Sequence, residues 1–99
     1  MKKEPYLTDT EILEEKDTDV IDISTIPAKV LLFNDEIHSF DEVIFQLMKA
    51  IKCSPAQGED FAWEVHTKGK ACVFSGEMND CLRVSSILEE IALHTAIEY

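Results

Sequence analysis

Four polar residues stand out because of where they fall. Asn34, Asp35 and Glu36 follow directly on the apolar run Val30-Leu31-Leu32-Phe33, and His66 lies three residues before Gly69. An amide, one or two carboxylates and an imidazole are acceptors suited to a cation with three N–H donors, such as a primary ammonium group. A strand end and a helix end can lie side by side in a two-layer fold, so this set can converge beside apolar residues. Each residue also has a local use. Asn-Asp after a strand is a common turn or cap, and a histidine near a helix C-terminus is a favourable partner for the helix dipole. Spacing alone leaves both uses open.

The same chain offers little for catalysis. Asp35, Glu36, His38 and His66 could supply acid and base, but no serine sits in a G-x-S-x-G pattern. With only 3 glycines there is no phosphate-cradling loop. The 3 cysteines and 3 histidines have neither C-x-x-C nor H-x-x-x-H spacing, so no metal or other cofactor is expected. Cys53, Cys72 and Cys81 read as free, buried or half-buried thiols in a reducing compartment.

The elements that must position these residues begin near Pro27. Val30–Phe33 reads as a buried strand stopped by Asn34-Asp35. Ser39 with Glu42 forms a capping-box pattern, and Phe40, Val43, Ile44, Leu47, Met48 and Ile51 share one face of the helix that follows. Ser54, Pro55 and Gln57 start a second helix, lined by Phe61, Ala62 and Val65 and stopped by Gly69. Gly58 inside it costs about 1 kcal/mol relative to alanine, so this helix leans on tertiary packing. Residues 70–75 read as a second strand. A third helix is expected from about Glu77 to Ala92, its stripe being Cys81, Val84, Ser85, Leu88, Ile91 and Ala92, widened by Leu82 and Ile87. Residues 95–99 read as a last strand. The order β-α-α-β-α-β implies an α+β fold, a two-layer sandwich of a three-stranded antiparallel sheet and three helices.

Composition bounds the function. The chain has 99 residues, one domain's worth, with 20 acids against 9 bases and a formal net charge of -11. Such a surface argues against nucleic acid and against anionic membranes. No apolar run approaches the roughly 20 residues a bilayer needs, and no signal peptide opens the chain, so the expected location is cytoplasmic. Residues 1–26 carry 8 acids and 3 bases with no helical or strand period, and read as a flexible acidic extension. The run Val20–Ile26 is expected to be transiently extended, and residues 27–99 form the core domain.

The stretch Lys29-Val-Leu-Leu-Phe-Asn-Asp-Glu36, two helices, then Glu64-Val-His66-Thr-Lys-Gly69-Lys-Ala71 resembles ClpS. ClpS is the adaptor that brings substrates with destabilising N-terminal residues to an AAA+ Clp protease. The resemblance spans roughly Pro27 to Tyr99. It implies the fold of the ribosomal stalk protein C-terminal domain. It also implies that Asn34, Asp35 or Glu36, and His66 hydrogen-bond a free α-amino group, while His38, Phe40, Val43, Ala62 and Val65 line a pocket for a bulky apolar first side chain. The partners implied are N-degron substrate proteins and the N-terminal domain of a ClpA-like AAA+ unfoldase, with Glu77 docking the unfoldase and the N-terminal extension helping hand over substrate.

The chain departs from the family at several of these positions. Glu36 replaces an aspartate, His38-Ser39-Phe40 replaces Thr-Pro-Met, Ala62 replaces a methionine, and Leu82 stands where the family has a docking lysine. The space left at Ala62 is either filled by Phe40, Trp63 or His38, or open. A filled pocket keeps a preference for Leu and Phe; an open one favours Trp and Tyr. The competing readings are a small protein-interaction domain of similar fold that binds no N-degron, and an unrecognised acid/base enzyme.

Overall fold

A computed structural model describes residues 22–99. Asp22 opens it by accepting the Ser24 N–H at 3.0 Å, which caps a short 3-10 turn over Ile23–Thr25. Of the run expected to be extended, Ile23–Thr25 is therefore turned, and Val20 and Ile21 lie outside the described residues, as does most of the acidic extension.

Strand β1 spans Pro27–Phe33 and alternates exposed and buried through Ala28 and Val30. It starts three residues before the continuous apolar run because Ala28 already faces the core. Helix α1, Phe40–Ile51, and helix α2, Pro55–Lys68, each begin with a closed capping box. Ser39 and Glu42 exchange bonds of 2.8 and 3.2 Å, and Ser54 and Gln57 bonds of 3.0 and 3.1 Å. Gly69 ends α2 at φ 88°, a left-handed conformation in which a Cβ would be strained. Gly58 is buried for a different reason. A Cβ there would sit 3.1 Å from Ile44 Cγ2, so its absence lets α1 and α2 approach closely.

Strand β2, Lys70–Glu77, and strand β3, Thr95–Glu98, flank β1 in the order β2-β1-β3, all antiparallel. Val30 faces Phe74 while Leu31 faces Cys72, so Val73 is an extra bulged residue, turned into the core at 4% exposure. Helix α3, Met78–Glu89, packs against all three strands, α2 packs against β2, and α1 packs against α2 and α3. The core joins Val30 and Leu32 of β1 to Leu47, Val65, Val84 and Leu88 of the helices. The α+β sandwich with a three-stranded antiparallel sheet is therefore as the sequence indicates.

The third helix is shorter than its apolar stripe implies. It stops at Glu89, and Ala92 adopts φ 65° in the turn that follows. That left-handed residue reverses the chain so that β3 can return to β1, and Leu93, not Ala92, fills the buried position. Leu82 does not widen the stripe; it is 52% exposed. It lies about 100° around the helix from Cys81, beyond the buried set Cys81, Val84, Ser85 and Leu88.

Candidate functional site

The end of β1 is fixed by two backbone bonds. Phe33 N–H donates to the His94 carbonyl at 3.0 Å, and Asn34 N–H donates to the Gly69 carbonyl at 2.9 Å. The second bond joins the strand end directly to the C-terminal cap of α2. It brings Asn34 and His66, 32 residues apart in sequence, to one mouth.

The loop from Asn34 to Ser39 is organised by Asp35. Its Oδ1 accepts the N–H groups of Ile37 and His38, both at 2.9 Å, and its Oδ2 pairs with His38 Nδ1 at 2.8 Å. Burial is the largest single influence on this carboxyl and raises it. The hydrogen bonds from His38 and Ile37 together outweigh burial and hold it below the usual carboxylate range. The other ring nitrogen of His38 meets the Ile91 carbonyl at 2.5 Å. The bond to Asp35, and then that to Ile91, push the imidazole above its ordinary value against the pull of burial.

A cavity of about 400 Å³ opens between this loop and α2. Leu32, Val43, Ala62, Val65 and Leu93 give it an apolar floor and wall; Asn34, Asp35, Glu36 and His66 form a polar rim, with His38 and Phe40 between. Asn34, Glu36 and His66 are exposed to solvent, whereas Asp35 is half-buried. Phe40, the first residue of α1, sets its ring edge-on to Trp63 at 4.9 Å and to His66 at 5.4 Å. Edge-to-face pairs of this kind contribute about 0.5–1.5 kcal/mol each. They pack Phe40 against Trp63 and His66 beside the mouth of the cavity.

All nine residues that the resemblance implies as amine ligands or pocket lining border this one cavity. They serve in different capacities. Asp35 and His38 are mutually bonded and shape the loop, while the side chains of Asn34, Glu36 and His66 make no hydrogen bond among the described residues. Glu77 is elsewhere. It occupies the position before α3, without a side-chain capping bond, and pairs with Pro27, at the end of β1 remote from Asn34, roughly 20 Å along the strand. Leu32 and Leu93 line the floor without having been singled out. Leu32 was hidden within a continuous apolar run, and Leu93 follows the turn that the sequence assigned to helix. Among the described residues, no cluster of three or more His, Cys, Asp or Glu side chains is placed to hold a metal ion. No helix among them is long and apolar enough to cross a membrane.

Residues 24–96 match the family described as ATP-dependent Clp protease adaptor protein ClpS. The chain belongs to the ClpS family. Within that ClpS region the match takes in β1, α1, α2, β2 and α3, and so every residue that borders the cavity. The chain is also similar to two much larger human proteins. It is 30% identical over 87 residues to E3 ubiquitin-protein ligase UBR2, covering 88% of this chain and 4% of that protein. It is 32% identical over 65 residues to E3 ubiquitin-protein ligase UBR1, covering 66% of this chain and 4% of that one. The chain thus spans about 4% of the length of these curated relatives. Among solved structures it resembles Agrobacterium tumefaciens ClpS2 bound to L-phenylalaninamide, with TM-score 0.70 and 20% identity over 76% of this chain and 96% of that chain. That likeness is one of fold.

Proposed function

We propose that this ClpS-family chain binds the free N-terminal residue of a protein, where that residue is bulky and apolar, and delivers the protein to an AAA+ Clp unfoldase for degradation. The observation that carries this reading is a cavity in which an apolar floor meets a rim of solvent-facing acceptors. An α-ammonium group has three donors and one positive charge. Asn34, Glu36 and His66 offer an amide oxygen, a carboxylate and an imidazole nitrogen to match them. The ligand of the related fold, L-phenylalaninamide, has the same two parts, a free α-amine and an apolar side chain.

In this reading the protein is an adaptor and no residue is catalytic. The exposed end of the sheet near Glu77 is the docking face for the N-terminal domain of a ClpA-like unfoldase. Residues 1–26 act as the arm that hands substrate over, and the setting is cytoplasmic. The test is a pair of labelled peptides beginning with Phe, one free and one N-acetylated, followed by fluorescence anisotropy. The free peptide binds and the acetylated one does not. Equal binding of both, or none of either, overturns the proposal in favour of a protein-interaction domain without N-degron recognition.

A further inference from the structure

His38 stands between two groups that can only accept hydrogen bonds. Nδ1 is 2.8 Å from Asp35 Oδ2, and Nε2 is 2.5 Å from the Ile91 carbonyl oxygen. A neutral imidazole carries one N–H and one lone pair, so either tautomer sets a lone pair against an acceptor. The imidazolium carries two N–H groups and satisfies both. The side chain is 9% exposed, so water cannot readily replace either partner. Asp35 is bonded in turn to the backbone of Ile37 and His38. One charged ring therefore links two segments 53 residues apart, the loop that carries Asn34 and Glu36 and the turn after α3.

We propose that His38 is a positioning residue for amine capture: as an imidazolium it ties the loop from Asn34 to His38 onto the turn after α3, and so holds Asn34 and Glu36 where an ammonium group meets them. The inference rests on the N-terminus-binding reading. His38 acts through the loop and does not touch the ligand's amine. Among the described residues, the charges that act on it are Asp35 on its own loop and Glu42 on the first turn of α1, both negative; the turn after α3 contributes the Ile91 carbonyl. Each favours the cation. Loss of the proton breaks one of the two bonds that His38 makes, and the link from Asp35 through the ring to the Ile91 carbonyl is interrupted. Affinity for a free N-terminus accordingly falls as pH rises through the elevated titration point of His38.

The test uses the full chain and two readouts. Long-range proton–nitrogen NMR of the His38 ring at neutral pH reports its protonation without any ligand. Two protonated nitrogens are expected, and a neutral tautomer overturns the proposal. Affinity for a Phe-initiated peptide is then followed from about pH 5.5 to about pH 9 in the parent, His38→Gln and His38→Lys. Lysine keeps the positive charge and its donors throughout this range. In the parent-to-lysine ratio the titration of the peptide's own amine cancels. His38→Gln binds roughly tenfold more weakly than the parent at the acid end, the scale of one charge-assisted hydrogen bond. His38→Lys restores most of the affinity and removes the decline with pH. Binding by His38→Gln with the parent's affinity and pH profile overturns the positioning role. Failure of the parent to prefer a free over an acetylated peptide refutes the N-terminus reading instead, so the two failures are separable. Should the glutamine variant not fold, the NMR result and the parent-to-lysine ratio still decide.

Discussion

Replacing Ala62 with methionine asks whether the cavity receives the first side chain of a substrate. Ala62 is 3% exposed and forms part of the wall of the 400 Å³ cavity. Methionine adds three heavy atoms beyond Cβ at that point. Phe40 cannot readily give way, because its ring is already edge-on to Trp63 at 4.9 Å and His66 at 5.4 Å. One methylene-scale mismatch in an apolar pocket changes binding by about 1–3 kcal/mol. The flexible thioether can turn partly aside, so one such unit is the expected loss for the largest ligand. A Trp-initiated peptide should therefore bind about 5- to 150-fold more weakly to Ala62→Met than to the parent. Leu and Phe peptides, which leave part of the cavity empty, should change by less than about 1 kcal/mol or gain contacts. Anisotropy titrations with Leu, Phe, Tyr and Trp peptides give the four ratios. Four unchanged affinities would show that residue 62 does not line the pocket. Equal losses for all four, with a lowered unfolding midpoint, would show an overpacked core and refute the size argument.

His66→Ala should weaken a Phe peptide by about 1.5–3 kcal/mol, the scale of a hydrogen bond to a charged group. Its circular dichroism should stay close to the parent's, because His66 is exposed, and its unfolding free energy should fall by no more than about 0.5–1.5 kcal/mol, the edge-to-face contact with Phe40. Calorimetry with unchanged affinity would remove it from the amine site. The Asp35–His38 pair should leave a mark on stability against pH. Asp35 is lowered from 3.8, so its contribution is present above that value and lost as pH falls through the lowered one. His38 is raised from 6.5, so its contribution is full below that value and lost as pH rises through the raised one. Urea unfolding of the parent and of His38→Gln should therefore differ most between pH 3.8 and 6.5. A difference that grows above that window contradicts the assignment. Gly58→Ala sets a gain of about 1 kcal/mol in helix propensity against a Cβ placed 3.1 Å from Ile44 Cγ2. Ile44 is only half-buried and can shift by a few tenths of an ångström, so unfolding free energy should change by less than about 1 kcal/mol. A loss above about 2 kcal/mol would show that Ile44 is held rigidly.

What the sequence made legible was local. The capping boxes of Ser39 and Ser54 involve residues three apart, so both helix starts could be placed from spacing alone. The same is true of Gly69, whose lack of Cβ suits the left-handed cap that ends α2. What escaped depended on distant partners. Gln46 of α1 is polar and outside the apolar face named from the spacing, yet it is buried, with its Nε2 donating to the Ile87 carbonyl of α3 at 2.6 Å. Ala92 continues an apolar stripe, but the return of β3 to β1 requires it to leave the helix. The candidate site divides in the same way. Asn34 and His66 stood out by type and by their places at a strand end and a helix end. The bond that joins those ends, from Asn34 N–H to the Gly69 carbonyl, is a product of the fold. His38 was expected in the pocket wall; its tie to Ile91, 53 residues on, has no sequence signature.

The central claim is that one cavity recognises a free N-terminus, and an NMR titration of isotope-labelled protein tests it most directly. A Phe-initiated peptide and its N-acetylated twin are added in turn while backbone and side-chain signals are followed. The free peptide alone should shift Asn34, Glu36, Ala62, Val65 and His66, which border the cavity. Equal shifts with the acetylated peptide, or shifts that gather instead around Glu77 at the far end of the sheet, would contradict it.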